Sequence, residues 1–437
     1  MRNGLKALNL FEMGSKNREE STRAKISYLK VFFTIVVPLI VGSLWYKVHQ
    51  GSVRSESIVE LPYPLPIYSN RLLPDPFTSQ LSKKKAETLE QFHDIQREQK
   101  ALFEAVEFGP DPGEPELLLA ELINNTLVIT AQNGPNSIKY NVSIVYPEKG
   151  TGPWPAMIVY SGANISSVSQ LENVAFLIYN NSEIAHQQEQ FVSRGKGLFY
   201  ELYGRSHPAS AMMAMAWGAS RIIDALEILP ETNIVSNRIG VTGCSRNGKA
   251  ALVAGAFDER FVLTIPQESG TGGTACWRLA DYQNFVIGDV VQTGTQIVTE
   301  NVWFSTSFER FANNTAELMF DHHILAGLIA PRGLVVFDNP AYPWLAPWSS
   351  YGCMIAARSI YHALGVPENI GYSQGDEHEH CIFPTTRQLD ILRAFYDRFL
   401  WDNDDASPFI PVFEANENME FDVEEWIDWS TPNLLQK

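Results

Sequence analysis

The sequence has few cysteines, few basic residues and no internal repeat. Lys and Arg total 33 of the 437 residues against 50 Asp and Glu, so the formal net charge is −17. Because this charge repels the phosphates of nucleic acid, we exclude nucleic acid as a partner. The four cysteines show no C-x-x-C spacing, so we expect no metal site built on them. The length and the 45% hydrophobic content suit one large α/β domain or two smaller ones.

Long apolar runs are also rare, and the one that bears on topology lies at the N-terminus. Residues 31–46 carry no charge, and sixteen residues are at the low end for a membrane-spanning helix. Basic side chains are concentrated before this run, so the positive-inside rule places the N-terminus in the cytoplasm. We therefore predict a cytoplasmic tail over residues 1–25 and an uncleaved signal anchor over residues 26–47, with the large domain extracellular or lumenal. Cleavage of a signal peptide, which would give a secreted protein, is the alternative.

Two further features are typical of a secretory compartment. The four cysteines all lie in the second half of the chain, and an even number favours two disulfide bonds, for which sequence alone allows three pairings. N-glycosylation sequons begin at Asn124, Asn141, Asn164, Asn180 and Asn313.

The composition divides the remaining chain into three parts. Residues 48–71 are rich in proline and aperiodic, which predicts a semi-rigid stalk. Residues 72–402 form the main domain, and the acidic residues 403–437 form a tail that we expect to wrap loosely on the surface. Within the domain, residues 79–106 have the apolar spacing of an amphipathic helix, and residues 117–146 have the pattern of a β-meander.

From Trp154 onward, short apolar runs alternate with helical patterns. This order predicts a mostly parallel sheet with helices on both faces. The predicted strands are 156–160, 174–179, 239–242, 262–266, 333–337 and 370–373, and the predicted helices are 210–229, 249–256, 352–364 and 387–400.

One turn in this series, Gly243 to Lys249, carries a candidate nucleophile. It joins a short β-rich run to a helix of small residues, with Ser245 at the corner. A sharp strand-to-helix turn of this kind is a nucleophile elbow. The match to G-x-S-x-G is imperfect because the second glycine, Gly248, comes one residue late. The motif alone leaves open whether Ser245 is a nucleophile or part of an ordinary turn.

A serine nucleophile needs a base and an acid that orients the base. In α/β-hydrolases these follow the serine in the chain, on loops after strands. Glu268 follows the strand 262–266, and Asp338 follows the next strand and is a rival acid. His378 and His380 lie between the last strand and the last helix.

Each of these residues also has an interpretation without catalysis. Glu268 could cap a helix or be a solvated loop carboxylate. His378 and His380 could be half of a metal site, but no third ligand stands at an obvious spacing. His322 and His323 form an adjacent pair that we expect on a surface segment.

Taken together, these stretches resemble the glucuronoyl esterases of carbohydrate esterase family 15, from about Leu72 to Leu400. Members of that family have an α/β-hydrolase fold, a three-layer sandwich around a mostly parallel sheet. They hydrolyse esters between 4-O-methyl-D-glucuronic acid on xylan and lignin alcohols. The resemblance rests on motifs in the family's order: LPDPF at 73–77, LYG at 202–204, AWG at 216–218, RIIDAL at 221–226, VTGCSRNGK at 241–249, IPQESG at 265–270 and His380-Cys381.

The resemblance implies a role for each residue that matches a family motif. It makes Ser245 the nucleophile, His380 the base, Glu268 the orienting acid and Arg246 the oxyanion donor. The family's histidine directly precedes a cysteine, which favours His380 over His378. The residues implied to hold the glucuronoyl ring are Lys249, Gln292, Glu300 and Trp344, and the implied disulfides are Cys244–Cys381 and Cys276–Cys353.

We therefore predict a serine esterase that acts on glucuronoxylan–lignin esters through an acyl-enzyme and needs neither a metal nor an organic cofactor. One alternative is an esterase for acetylated or methyl-esterified polysaccharide. Another is a non-catalytic adhesion or carbohydrate-binding ectodomain built on a hydrolase fold. An enzyme is favoured because all three triad members stand within motifs. The alcohol side of the ester and the oligomeric state have no signature in the sequence.

Overall fold

The computed structural model describes residues 47–49, 59–66, 68–161, 173–188, 190–382, 386–403, 413–414 and 419–435. The predicted cytoplasmic tail, the predicted anchor up to Tyr46 and the sequon at Asn164 lie outside these residues. Within the described ranges, no helix combines the length and the apolar character needed to cross a bilayer.

A single sheet of eleven strands organises the described part of the chain. The strands are β1 Lys47–His49, β2 Leu117–Ile123, β3 Thr126–Asn133, β4 Asn136–Val145, β5 Trp154–Tyr160, β6 Ala175–Tyr179, β7 Ile234–Cys244, β8 Phe261–Gln267, β9 Gly333–Phe337, β10 Ile370–Ser373 and β11 Phe413–Glu414. Their order in the sheet is β1-β2-β3-β4-β6-β5-β7-β8-β9-β10-β11. The first four pairs in this order, up to β4 with β6, are antiparallel, and all later pairs are parallel. The predicted meander and the mostly parallel sheet are confirmed.

The burial of each strand follows its place in the sheet. Strands β5 and β9 are buried at every residue, because parallel strands are covered by helices on both faces. Strand β4 alternates buried and exposed residues, since one of its faces meets water.

Helices cover the two faces of the parallel part. The longest of the described helices, Ala211–Ile228 (α5), begins at the N-cap Ser210, whose hydroxyl accepts from the Met213 N–H, and nearly all of its residues are buried. The helices are α1 Leu89–Phe103, α2 Asn181–Ile184, α3 Gln190–Ser193, α4 Leu198–Tyr203, α5 Ala211–Ile228, α6 Arg246–Phe257, α7 Trp277–Tyr282, α8 Gly294–Glu300, α9 His322–Gly327, α10 Pro347–Ala363, α11 Thr386–Phe395 and α12 Val423–Trp426.

The register of the parallel strands brings the chemically important loops to one edge. Cys244 of β7 lies opposite Gln267 of β8, and Gln267 lies opposite Phe337 of β9. Phe337 in turn lies opposite Ser373 of β10. The residues that follow these strand ends therefore share the carboxyl edge of the sheet, where ligands bind in open α/β folds.

The C-terminal segment 419–435 packs firmly onto the domain, unlike the loose wrapping expected from its acidity. Trp426 is buried, and its ring meets Tyr282 edge-on with centroids 4.9 Å apart. Its carbonyl accepts from the Leu73 N–H at 3.1 Å. Two apolar side chains of this segment, Trp426 and Leu434, belong to the core, and their burial outweighs the surrounding charge.

Candidate active site

Ser245 occupies a strained turn between β7 and α6. Its φ of 58° and ψ of −129° lie where non-glycine residues are rarely found, as a nucleophile elbow requires. Its N–H donates to the Gln267 carbonyl at 2.9 Å, which fixes the turn against β8.

The late glycine of the motif is explained by close backbone packing. A Cβ at Gly248 would lie 2.7 Å from the Gln267 carbonyl oxygen, and one at Gly243 would lie 2.3 Å from the Asn247 carbonyl oxygen. Any side chain would therefore push α6 away from the strands. Gly248 serves the contact between the helix and β8, and the displaced spacing does not disturb the elbow.

Glu268 and His380 form a short hydrogen bond at the same edge. The Nδ1 of His380 lies 2.6 Å from Oε2 of Glu268, and the Cys381 N–H donates to Oε1 at 3.0 Å. The Glu268 side chain is buried, whereas the His380 side chain is 33% exposed. A buried carboxylate with both oxygens engaged holds the imidazole in one orientation and leaves Nε2 available for a reacting group.

A disulfide joins the two halves of this arrangement. Cys244 precedes Ser245, Cys381 follows His380, and the two cysteines are bonded with Cα atoms 5.6 Å apart. The second bond links Cys276 and Cys353, so the implied pairing is confirmed at both positions. The two sulfurs and a His380 nitrogen lie within 4.8 Å of one another, but sulfurs in a disulfide are not thiolates and cannot serve as metal ligands.

The rival acid makes different contacts. Asp338 accepts a hydrogen bond from the Tyr372 hydroxyl at 3.0 Å. Burial raises the pKa of Asp338 to about 6, and the charge of Glu268 acts in the same direction, while hydrogen bonds from Ser350 and Tyr372 oppose the shift. The carboxylate that meets His380 is therefore that of Glu268.

His378 lies beside Glu268 without replacing His380. Its Nδ1 is 4.0 Å from Oε1 of Glu268 and 2.9 Å from the Glu379 carbonyl oxygen. The side-chain amide of Asn339 donates to the His378 carbonyl at 2.9 Å and lies 3.4 Å from Oε2 of Glu268. Asn339 thus ties the histidine loop to the acid.

The expected surface position of His322 and His323 is wrong. Both rings are completely buried. The Nε2 of His322 lies 2.7 Å from Oε1 of Glu107, and the Nε2 of His323 lies 2.8 Å from the Pro74 carbonyl oxygen. Partners distant in the sequence satisfy both rings, which a local pattern cannot reveal.

Lys249 is buried one helical turn after Ser245 and is surrounded by oxygen atoms. Its Nζ donates to the carbonyls of Ser269 and Thr271, the latter at 2.8 Å, and lies 3.5 Å from Oε1 of Gln292. Burial lowers the pKa of Lys249 to about 7, and the charge of Glu300 opposes that shift. The site therefore holds a cation at a cost in desolvation, which is typical of functional lysines.

The other predicted ring-binding residues lie around Lys249. Gln292 is buried, and its N–H donates to the Trp344 carbonyl at 3.0 Å. Trp344 is 39% exposed, as a surface that meets a sugar would be. Glu300 ends helix α8, is exposed and accepts from the side-chain amide of Gln296. The structure thus gathers Lys249, Gln292 and Trp344, with Glu300 within electrostatic range of the lysine.

Comparison with known proteins identifies the family. A family model for glucuronyl esterases of fungi matches residues 129–365. The 4-O-methyl-glucuronoyl methylesterase of Hypocrea jecorina is 46% identical over 375 residues, which cover 86% of this chain and 78% of the relative. The chain belongs to the glucuronoyl esterase family.

Solved structures agree with this assignment. The catalytic domain of the glucuronoyl esterase from Hypocrea jecorina superposes with a TM-score of 0.81 at 46% identity, over 86% of this chain and 100% of the other. A serine-to-alanine variant of the glucuronoyl esterase from Sporotrichum thermophile, solved in complex with methyl 4-O-methyl-β-D-glucopyranuronate, superposes with a TM-score of 0.79 at 41% identity, over 86% and 100%. The α/β-hydrolase fold is confirmed.

In this member of the glucuronoyl esterase family, the sequence did not indicate that the aromatic ring of Trp303 lies close to two basic side chains. The ring of Trp303 lies 5.3 Å from the Arg246 guanidinium and 5.5 Å from Lys249 Nζ. Its indole N–H donates to Oε1 of Gln187 at 3.1 Å, and the Gln187 carbonyl accepts from Arg246 at 3.3 Å. Trp303 lies in a region without periodicity, so only the fold could assign it this position.

The asparagines of the described sequons are accessible. All four are exposed, as glycosylation requires, and they stay predicted glycosylation sites: Asn124, Asn141, Asn180 and Asn313.

Proposed function

We propose that this protein is a serine esterase that hydrolyses ester bonds between 4-O-methyl-D-glucuronic acid of glucuronoxylan and lignin alcohols. The observation that carries the proposal is the hydrogen bond between His380 and Glu268. The disulfide between Cys381 and Cys244 holds this pair beside the strained turn of Ser245. The names of the relatives and the glucuronate ester bound by the Sporotrichum thermophile variant support the substrate class.

In the proposed reaction His380 takes the proton of Ser245 as the hydroxyl oxygen attacks the uronic acid carbonyl. Glu268 keeps the Nδ1–H of His380 engaged, so that Nε2 is the base and the resulting imidazolium is stabilised. Arg246 follows Ser245 at the N-terminus of α6, where its N–H and guanidinium can stabilise the oxyanion. His380 then protonates the leaving alcohol, and water releases the acid from the acyl-enzyme by the reverse sequence.

We assign recognition of the glucuronoyl ring to Lys249, Gln292, Glu300 and Trp344. A buried ammonium can donate to ring oxygens, a carboxylate and an amide can pair with hydroxyls, and an exposed indole can cover a sugar face. A general esterase for acetylated polysaccharide would have no use for this set.

Hydrolysis of benzyl 4-O-methylglucuronate tests the proposal. Ser245→Ala should abolish turnover, and Lys249→Ala should raise KM strongly, because it removes donors from the bound ring. Ser206→Ala, at an exposed serine, is the matched control and should behave as the parent. Turnover of a simple acetyl ester without turnover of the uronate would instead identify a broader polysaccharide esterase.

We further propose that the esterase domain works outside the cytosol. Two disulfides support this placement, because such bonds persist in oxidising compartments. The anchor over residues 26–47 stays a prediction. Carbonate extraction of membranes checks it: an anchored protein stays in the pellet, whereas a secreted one appears in the medium.

A further inference from the structure

Four large apolar side chains on one short segment are exposed to solvent. Phe285, Val286, Ile287 and Val290 are 70%, 66%, 51% and 75% exposed. Single exposed apolar residues are ordinary, but a cluster of four within six residues marks an interaction surface. We call residues 285–290 the apolar ledge.

The ledge is held by specific contacts. The carbonyl of Gln283 accepts from the N–H groups of Gly288 and Asp289, both at 3.1 Å. The side-chain amide of Gln283 also donates to the Asp289 carboxylate at 3.1 Å. These bonds close the turn on itself, and Gly288 supplies the positive φ of 92° that the turn needs. The apolar side chains are thus presented by a preformed turn, which lowers the ordering cost of binding.

The ledge is continuous with the proposed ester site. Val291, the next residue, is buried with Ala346, and Gln292 follows with its contact to Lys249. Val290 is two residues from Gln292, so their Cα atoms are at most about 7 Å apart.

A second set of contacts leads from Gln292 towards His380, the proposed general acid. The Gln292 N–H donates to the Trp344 carbonyl, and Tyr342 lies two residues before Trp344. The Tyr342 hydroxyl accepts from the His380 N–H at 3.0 Å, and the two rings are 5.0 Å apart. A short path of sequence neighbours and two hydrogen bonds therefore joins the ledge to the group that would protonate the leaving alcohol.

We infer that the apolar ledge binds the alcohol half of the ester when that half carries an aromatic group. This inference rests on the proposed function, since the polar set around Lys249 takes the acyl half and leaves the alcohol to another surface. The side chains of the ledge's four apolar residues offer no hydrogen-bond donor or acceptor, so they suit an aryl group better than the hydroxyls of xylan.

Charge favours a neutral occupant. Residues 281–300 include Asp281, Asp289 and Glu300 and no Lys or Arg. An anionic lipid surface would be repelled by this stretch. A neutral aryl alcohol carries no such penalty.

The test compares two esters that share the acid and differ in the alcohol, methyl and benzyl 4-O-methylglucuronate. In the Phe285→Ser/Val290→Ser variant, kcat/KM for the benzyl ester should fall about three- to tenfold relative to the methyl ester, because only benzyl reaches the ledge. Val145→Ser, which removes another exposed valine on strand β4, is the control and should leave this ratio unchanged. Thermal unfolding verifies that both variants are folded.

Several results would overturn the inference. An unchanged benzyl-to-methyl ratio of kcat/KM in the folded variant would show that the ledge does not contact the aryl group. A selective loss on a methyl ester extended by a xylo-oligosaccharide would assign the ledge to xylan. Binding of the parent to phosphatidylcholine vesicles, lost in the variant together with an unchanged ratio, would assign it to a lipid surface. If the parent protein hydrolyses neither ester, the proposed function is wrong, and the inference that rests on it is wrong as well.

Discussion

The strand ends and the insertion between β8 and β9, residues 271–332, contribute to one site but are built differently. At the strand ends, Ser245, Glu268 and Cys381 all have positive φ and are fixed by short hydrogen bonds and a disulfide. The insertion is made of short helices and turns, and its 285–290 ledge is exposed to water. Lys249 connects the two, because it lies on α6 and donates to Thr271 and approaches Gln292.

This contrast separates chemistry from recognition. Bond-making groups must be placed within fractions of an ångström, so they lie on backbone that a rigid sheet determines. Recognition of a varied polymer tolerates looser placement and lies on loops. Changes at the strand ends should therefore alter kcat, and changes in the insertion should alter the choice of substrate.

The largest expected effect comes from comparing two carboxylates at neighbouring strand ends. Glu268→Gln should lower kcat by about 10³- to 10⁴-fold, because the amide no longer holds His380 in the required tautomer. Asp338→Asn, at the neighbouring strand end, is the matched control and should lower kcat less than about tenfold, since Asp338 contacts Tyr372. Steady-state hydrolysis of the benzyl ester measures both, and a greater loss in Asp338→Asn would reverse the assignment of the acid.

The two disulfides provide the next comparison, since one lies at the strand ends and the other joins the insertion to α10. They close loops with sequence separations of 137 and 77 residues. Loop-closure entropy predicts that replacing either pair by serine costs about 4 to 5 kcal/mol of unfolding free energy. Only the Cys244→Ser/Cys381→Ser variant should also lose kcat, because its bond lies beside Ser245 and His380. Denaturant unfolding measures the stability of both variants, and kcat is measured at a temperature at which both are folded. Equal losses of kcat in both variants would contradict the distinction between the strand ends and the insertion.

Lys249 gives a smaller effect that depends on pH. Its pKa is lowered to about 7 in the folded protein and returns to an ordinary value near 10.5 on unfolding. Between these pH values the unfolded chain binds more protons, so the free energy of unfolding rises with pH, by at most about 1.4 kcal/mol per unit. Below pH 7 both states are protonated, and the burial of the charge destabilises the fold.

Lys249→Met removes this titrating group while keeping a similar length. The difference in thermal midpoint between the parent and this variant should shift in favour of the parent as the pH rises from 6.5 to about 9. Midpoints that stay parallel over this range would show that the lysine titrates normally in the folded state.

The elements that the sequence predicted well are those with local causes. Strands β9 and β10 have the predicted bounds, since each is a short apolar run between turn residues. The elbow at Ser245 and the acid Glu268 follow from motifs at strand ends, where the parallel register brings them together. The choice between Glu268 and Asp338 could not come from spacing, because both follow adjacent buried strands.

The parts that escaped prediction depend on distant contacts. Trp303 acquires its position beneath Arg246 and Lys249 only when the insertion folds over α6. The burial of His322 requires Glu107, more than two hundred residues earlier in the chain. Trp426 enters the core although its surroundings are acidic, which the composition of the tail did not indicate.

The central claim is that the strand ends activate Ser245, and a fluorophosphonate probe tests it most directly. Peptide mass spectrometry should find the label on Ser245 in the parent and in Asp338→Asn, with labelling slowed in Glu268→Gln. Absence of label from the folded parent, or its presence on another residue, would contradict the claim and leave a hydrolase fold that binds carbohydrate without catalysis.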